Sequence, residues 1–188
     1  SIVMSIITDP QAMVARFEGG TLDAAVNYPV NDFVRLKSDP TYSTYTFSAG
    51  NFWCFGINCQ VPPWDNKQMR QALLYVVNQQ DYVLGIAGDP KNGHPCFSYF
   101  TCGTPLSSDT GADPLKGQRN FDRARQLVKE SGYKGERVVI IDATDQPIVH
   151  AQSLLTLDVL KKIGVNAEIQ AGDWGTLITR RTVKDPPE

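Results

Sequence analysis

Two helix–strand units follow one another in the second half of the chain. Residues 122–131 have a helical pattern that Gly132 ends, and 137–142 form a run rich in β-branched apolar residues. The same order then repeats, with apolar residues at helical spacing over 147–163 and a strand pattern over 165–170. Helices and strands in alternation are typical of sheets whose strands are joined by crossover helices. The sequence therefore predicts an α/β fold in which helices flank a sheet.

The chain begins with an apolar run over residues 2–8 that predicts a buried strand. A buried strand this close to Ser1 is unexpected at a natural amino terminus, so we interpret the chain as a piece of a longer protein.

The other expected elements are a helix from Asp9-Pro10 to Gly19-Gly20, a strand over 22–26, a helix over 29–37, extended chain over 44–60, a helix that Asp65 caps and whose apolar face runs from Met69 to Val77, and a helix from Asp173 to about Thr182.

Size and charge limit what the chain can be. With 188 residues, 41% of them hydrophobic, the default is one domain with a substantial core, here residues 1–188. The formal net charge of -2 lacks the basic excess of a surface that neutralises phosphates, so we expect no nucleic-acid partner. Apolar stretches are far shorter than the ~20 residues that a membrane-spanning helix needs.

The four cysteines differ in how they can pair. Cys54 and Cys59 on one extended strand would lie roughly 16 Å apart, too far for a disulfide. Cys96 and Cys102 bracket five residues in the irregular segment 88–120, where the chain can fold back on itself. We therefore predict a disulfide between Cys96 and Cys102, which suits an oxidising compartment, with two free thiols as the alternative.

Catalytic, metal and nucleotide motifs are not found. His94, Cys96 and Cys102 lack the paired spacing of a zinc site, and we interpret His150 as a residue on a helix surface. No glycine-rich phosphate loop is present. We therefore predict no metal, no cofactor and no enzyme activity, and keep a small α/β enzyme that uses His94 with a loop cysteine as a remote alternative.

Two features remain that a purely structural explanation handles poorly. An Arg180-Arg181 pair can offer a fork for a carboxylate, although cations near a helix end are also favoured by the helix dipole. An aromatic cluster can line a pocket on one side of a strand, or belong to a strand that is buried on both faces. Its members are Tyr42, Tyr45, Phe47, Phe52, Trp53 and Phe55.

Four segments in a fixed order carry a resemblance to a known family. They are FEGGTLDAAVNYP (17–29), FGINCQVPPWDNKQMRQALLYVVNQQ (55–80), FDRARQLVKESGYKG (121–135) and AQSLLTLDVLKKIGVNAEIQAGDWGTLITRR (151–181). Together they resemble family 5 of the extracellular solute-binding proteins, the oligopeptide and dipeptide receptors of ABC importers. The resemblance runs over nearly the whole chain.

This resemblance implies a two-lobed protein that closes around a ligand. The chain would be most of the second lobe, with a mixed sheet flanked by helices, of the periplasmic-binding-protein-like fold (type II, cluster C). The first lobe and a return segment after Glu188, where the family has an acidic residue for a peptide amino group, would be missing. Implied partners are the ligand, the missing lobe and the importer's permease. The implied location is periplasmic or extracellular, with lipid anchoring of the whole protein left open.

The resemblance also implies ligand-binding residues. By its place in the motif, Arg180 resembles the arginine that faces the cleft and can hold a ligand carboxylate. Asn27, Tyr28, Trp53 and Cys54 fall where the family has residues that line the cleft. Because some peptide receptors have tyrosine at these places, Asn27 and Cys54 leave the ligand open. A peptide is expected first, and a sugar, an opine or a metal chelate is the alternative.

Overall fold

The structure, a computed structural model, describes residues 1–45, 53, 54 and 56–183. Its chain divides into two compact units, residues 1–48 and 49–188, which we describe separately. In the described residues, no helix is both long enough and apolar enough to cross a membrane.

The first unit contains two helices, α1 (Pro10–Glu18) and α2 (Val30–Lys37). Asp9 caps α1 as predicted, because its Oδ1 accepts a hydrogen bond of 2.9 Å from the backbone N–H of Ala12. Each helix buries one apolar residue, Val14 in α1 and Leu36 in α2.

The predicted strands over 2–8 and 22–26 are wrong, since neither range contains a strand in this structure. Ile2, Val3, Met4 and Ile6 are each at least 86% exposed. An apolar run becomes a strand only when a neighbouring strand pairs with its backbone groups. No strand in the described residues pairs with 2–8, so the composition alone does not produce one.

The second unit holds the α/β elements. Its helices are α3 (Lys67–Leu74), α4 (Gln79–Ala87), a 3₁₀ turn (Pro90–Asn92), α5 (Asp113–Lys116), α6 (Phe121–Glu130), α7 (Pro147–Lys162) and α8 (Trp174–Thr182). Its described strands are β1 (Val138–Ala143) and β2 (Ala167–Gly172). The residues of 44–60 that the structure describes contain no strand, and residues 46–52 and 55 of this predicted extended segment lie outside the described residues.

Strands β1 and β2 pair in parallel, from Val138 opposite Ala167 to Ala143 opposite Gly172. Helix α7 connects them, as the repeated helix–strand pattern predicts. Helices and a parallel pair in this order confirm the α/β fold class.

The core of the second unit lies between α3, α6, α7 and one face of the strand pair. Met69 and Val76 are at most 1% exposed, and Leu127 and Leu160 at most 4%. Helix α3 begins one residue later than predicted, because Asn66 and not Asp65 supplies the cap: its Oδ1 accepts from the backbone N–H of Gln68 at 2.8 Å. The other members of this core are Ala72, Leu73, Ala124, Val128, Val138, Val159, Ile163, Val165 and Ala167.

Candidate ligand-binding site

The carboxyl ends of β1 and β2 meet at one edge of the second unit, and hydrogen bonds join the loops that follow them. The backbone N–H of Thr144 donates to the carbonyl of Gly172 at 2.9 Å. The backbone N–H of Trp174 donates to Oδ1 of Asp145, also at 2.9 Å. Ligands of open α/β sheets bind outside the carboxyl ends of the strands, so this edge is the first place to search.

Arg180 of α8 borders a small cavity at this edge. Asp173 caps α8, since its Oδ1 accepts from the backbone N–H of Thr176 at 2.8 Å, and this fixes where the helix begins. These hydrogen bonds lower the pKa of the Asp173 carboxyl. The cavity has a volume of about 40 Å³, room for one small polar group and not for a whole ligand. Its lining residues are Ile141, Asp142, Gln170, Ala171, Gly172, Asp173, Thr176, Leu177 and Arg180.

The Arg180 guanidinium has no carboxylate partner in the part of the chain that the structure describes. The same holds for its neighbour Arg181, but Arg181 is exposed whereas Arg180 is half-buried against the cavity. A partly desolvated guanidinium without a partner favours binding of a carboxylate or phosphate group.

Asp142 borders the same cavity without neutralising Arg180. Side chains alternate along a strand, and Val138 and Ile140 belong to the face that packs with the core. Asp142 follows them on that face, where its Oδ2 lies 2.7 Å from Nδ1 of His150 in α7. Both Asp142 and Arg180 line the cavity, but no ion pair joins them in the described residues, and the partner of the Asp142 carboxylate is His150.

The contact between Asp142 and His150 could not be predicted from the sequence, which indicated only that His150 lies on a helix surface. An aspartate inside the run VVIIDA indicates that a partner exists but not which one, because a buried carboxylate needs a hydrogen-bonding partner. Asp142 and His150 are eight residues apart in the sequence, so their spacing does not show that their side chains are in contact.

Asn27 and Tyr28 lie in the first unit. The Tyr28 hydroxyl donates to Oε1 of Glu18 at 3.1 Å, and its ring packs edge-on against Phe17 with centroids 5.6 Å apart. Burial, and then the hydrogen bond to Glu18, raise the pKa of Tyr28 to about 12. Asn27 is exposed and has a φ of 57°, in the left-handed region that asparagine tolerates. The Tyr28 hydroxyl is therefore already engaged by Glu18, and the ligand-binding role of Asn27 and Tyr28 stays a prediction.

Trp53 and Cys54 lie in the second unit, and both are exposed. Of the predicted aromatic cluster, Phe47, Phe52 and Phe55 fall outside the described residues. Tyr42 belongs to the first unit and packs against Phe17, with ring centroids 5.6 Å apart. The site role of Trp53 and Cys54 stays a prediction.

The predicted disulfide between Cys96 and Cys102 is confirmed, and Cys54 and Cys59 are free thiols. Gln79 at the start of α4 fixes the loop, because its amide donates to the Cys96 carbonyl at 2.8 Å and accepts from the Cys96 N–H at 2.5 Å. The loop exposes Tyr99, which is 86% accessible.

A larger cavity of about 210 Å³ lies between α3 and α6, near Tyr75 and Arg123. None of the predicted site residues lines it. Arg123 has a carboxylate there already, Glu130 at 3.6 Å, so this cavity lacks the free cation of the smaller one. In the described residues, no group of three or more histidine, cysteine, aspartate or glutamate side chains could hold a metal ion.

Comparison with known proteins identifies the family. The model of the bacterial extracellular solute-binding proteins, family 5 (middle region), matches residues 1–187. The chain belongs to this family. It is 32% identical over 183 residues to the probable peptide ABC transporter periplasmic-binding protein y4tO of Sinorhizobium fredii, covering 97% of this chain and 34% of that protein. The chain thus spans about a third of the length of such relatives.

Solved structures of other binding proteins share the fold. The binding protein AgaA of A. tumefaciens R10, in complex with agropinic acid, aligns with a TM-score of 0.76 at 19% identity, over 93% of this chain and 35% of that one. The oligopeptide-binding protein AppA of Bacillus subtilis, in complex with a nonapeptide, aligns with a TM-score of 0.72 at 21% identity, over 93% and 36%. These matches confirm the predicted periplasmic-binding-protein fold.

Family membership also confirms two coarser predictions. The relatives are solute-binding proteins of ABC importers and not enzymes, so the alternative of a small α/β enzyme is dropped. Members of this family function outside the cytoplasm, which agrees with a disulfide in the loop after α4.

Proposed function

We propose that the protein containing this chain is the binding component of an ABC importer, that it captures a peptide in a cleft between two lobes, and that Arg180 binds the peptide carboxylate. The half-buried Arg180 guanidinium at the cavity beside β1 and β2, without an ion pair in the described residues, is the observation that carries this proposal. The name of the S. fredii relative and the nonapeptide in the B. subtilis protein support a peptide ligand.

The size of the Arg180 cavity supports a mechanism of two lobes. About 40 Å³ can enclose one end group, so the rest of a peptide must be covered by other surfaces. We propose that Tyr28, Trp53, Asn27 and Cys54 contribute to those surfaces, together with a first lobe that this chain does not include. A ligand that touches both lobes stabilises the closed state by its differential affinity, and the permease recognises that state.

A second candidate ligand is an opine-like organic acid. Agropinic acid, the ligand in the AgaA complex, is an acid and could use the same arginine as a peptide carboxylate does. Asn27 and Cys54 fall where some peptide receptors have tyrosine, and this departure leaves room for a ligand other than a peptide. In both cases we propose an exported protein, periplasmic or extracellular, whose lipid anchoring stays open.

The test uses the full-length protein and begins with mass spectrometry of the ligand that co-purifies with it. Calorimetry with that ligand then compares Arg180→Gln with Arg181→Gln. Arg181→Gln is the matched control, because it removes the same charge from the exposed side chain of the next residue. A charge-assisted hydrogen bond is worth ~1.5–3 kcal/mol, so Arg180→Gln should weaken binding by about 10-fold or more.

Arg181→Gln should leave the affinity within about 2-fold of the parent, because screening makes exposed charges worth little. Equal losses in both variants would show a general effect of positive charge and contradict the anchor. An unchanged affinity of Arg180→Gln would contradict it as well. A co-purified organic acid in place of a peptide would favour the second candidate.

A further inference from the structure

The two sulfurs of the Cys96–Cys102 disulfide have different surroundings. Cys102 is an exposed residue, whereas Cys96 is half-buried, and neither of them lines the Arg180 cavity. A thiol reacts with a disulfide when its thiolate attacks one of the two sulfurs, and access helps to decide which sulfur is attacked. An incoming thiol therefore reaches Cys102 Sγ more easily than Cys96 Sγ.

A hydrogen bond suits Cys96 to the role of leaving group. The backbone N–H of Cys102 donates to Sγ of Cys96 at 3.1 Å. The sulfur of a disulfide is a weak acceptor, but a thiolate is charged, and hydrogen bonds to charged groups are stronger than hydrogen bonds to neutral ones. The same N–H therefore stabilises the Cys96 sulfur more after the S–S bond breaks than before. A thiol whose thiolate is stabilised leaves faster.

Gln79 in the first turn of α4 keeps Cys96 in place when the bridge is open. Its side-chain amide donates to the Cys96 carbonyl at 2.8 Å and accepts from the Cys96 N–H at 2.5 Å. Both hydrogen bonds involve the backbone of Cys96, so they do not depend on the state of its sulfur. A freed Cys96 thiolate therefore stays near Cys102 and can attack it again, which makes the reaction reversible.

We propose that the Cys96–Cys102 disulfide is a site of reversible modification by low-molecular-weight thiols, with Cys102 as the modified residue and Cys96 as the leaving and resolving thiolate. The incoming thiol first loses its proton to water. Its sulfur then forms a bond with Cys102 Sγ as the Cys96–Cys102 bond breaks, and the bonding electron pair stays on Cys96. The incoming thiol is thereby oxidised to a mixed disulfide, and Cys96 is reduced and takes up a proton from water.

The modification changes the surface that the loop presents. Tyr99 and Phe100 lie between the two cysteines, are 86% and 48% exposed, and pack edge-on with ring centroids 5.2 Å apart. Opening the bridge releases the constraint on the chain that carries this aromatic pair. Members of the family function outside the cytoplasm, where disulfides persist, so the bridge is the resting form and external thiol opens the loop.

The experiment exposes the folded full-length protein to 2-mercaptoethanol, a small neutral thiol, in the absence of oxygen. The reaction is stopped at short times with N-ethylmaleimide, which alkylates free thiols, and the peptides are mapped by mass spectrometry. The probe should be on Cys102 with the alkyl group on Cys96, in about 10-fold or greater excess over the reverse arrangement. Cys54 and Cys59 are internal controls: as free thiols they should carry only the alkyl group, because two thiols form no bond without an oxidant.

Gln79→Leu tests the resolving role of Cys96, because it removes both hydrogen bonds to the Cys96 backbone. The amount of mixed disulfide at a fixed time should rise by about 10-fold, since two hydrogen bonds no longer hold the thiolate near Cys102. Gln80→Leu is the matched control, since it makes the same change at the next residue, which is exposed, and it should leave the parent amount. Circular dichroism shows whether each variant is folded.

Equal labelling of the two cysteines, or labelling chiefly on Cys96, would overturn the assignment of Cys102 as the modified residue. A bridge that 2-mercaptoethanol cleaves only in urea would show that no such site exists in the folded protein. A folded Gln79→Leu protein with the parent amount of mixed disulfide would contradict the resolving role. Mapping of the parent protein decides which sulfur is attacked, whether or not Gln79→Leu folds, and no step involves the Arg180 anchor.

Discussion

Tyr28 shows how a single side chain is fixed by its neighbours in the first unit. Its hydroxyl and the Arg35 guanidinium both donate to the Glu18 carboxylate, which joins the end of α1 to the segment before α2 and to the last turn of α2. Burial and the nearby carboxylate both disfavour a phenolate, so the pKa of Tyr28 rises from 10.0 to about 12.

This shift predicts how stability depends on pH. The folded state favours the neutral phenol, so the stabilisation from Tyr28 is fully present below the unfolded pKa of about 10 and is lost as pH rises toward 12. The difference in unfolding free energy between the parent and Tyr28→Phe should be constant from pH 7 to about 9 and shrink above about 10. Urea unfolding at several pH values measures it.

An absorbance titration of tyrosinate provides the control. The parent-minus-Tyr28→Phe difference should report a tyrosine that ionises well above the ordinary pKa, and Glu18→Gln should bring that pKa down because it removes the acceptor charge. Ionisation of Tyr28 at the ordinary pKa in the parent would contradict the environment described here.

At the scale of single residues, local signals were predictable and contacts across the fold were not. Asp9 and Asp173 were recognised as caps because a cap contacts backbone only three residues away. Asp142 and His150 were not paired, since their contact depends on how α7 packs against β1. Arg180 was found from a family motif, but only the structure shows that it borders a cavity and Arg181 does not.

Among the elements, the loop after α4 is held by covalent and polar contacts and not by a hydrophobic core. The Cys96–Cys102 disulfide closes it, and two hydrogen bonds from Gln79 attach it to the first turn of α4. A further hydrogen bond of 3.0 Å joins the N–H of Ser108 to the hydroxyl of Ser98. The disulfide should therefore contribute most of the local order.

Replacing both bridge residues, Cys96→Ser with Cys102→Ser, should destabilise the chain by about 2 kcal/mol, the loop-closure value for cysteines this close in sequence. Amide hydrogen exchange should also speed up over residues 97–101. The matched control is Cys59→Ser, which removes an exposed free thiol and should change neither quantity. Slow exchange that survives loss of the bridge would show that Gln79 alone orders the loop.

Elements were predictable where their signals are local. The helix–strand–helix–strand order of the second unit was found because each helix shows its apolar periodicity and ends near a glycine. The predictions of strands over 2–8 and 22–26 were wrong, because strand formation requires a partner that sequence composition does not reveal. Most boundaries of the predicted helices lie within one or two residues of the observed ones, whereas α4 was not predicted.

At the scale of the whole molecule, the chain spans about a third of the length of its relatives. The cavity at Arg180 holds only one small group. The prediction of a single domain over 1–188 stays a prediction, as does the role of a first lobe. Both predictions are tested by measuring whether the isolated chain folds and how tightly it binds the ligand.

We expect the isolated chain to fold, because the core around Met69 and Leu160 lies entirely within it. We also expect it to bind the ligand of the full-length protein at least about 100-fold more weakly. Losing half of the contacts removes a few kcal/mol, and each 1.4 kcal/mol is a factor of ten. Calorimetry on both proteins with the same ligand measures the ratio, and circular dichroism confirms that the chain is folded.

Arg180→Gln, measured in both the full-length protein and the isolated chain, separates the role of the arginine from the role of the second lobe. In the full-length protein it should weaken binding about 10-fold, and in the isolated chain any remaining affinity for a carboxylate should disappear with it. A folded isolated chain that binds as tightly as the whole protein would mean that one lobe suffices, because a ligand enclosed by one lobe gains nothing from closure against a second. The two-lobe mechanism would then fail even if Arg180 remained the anchor.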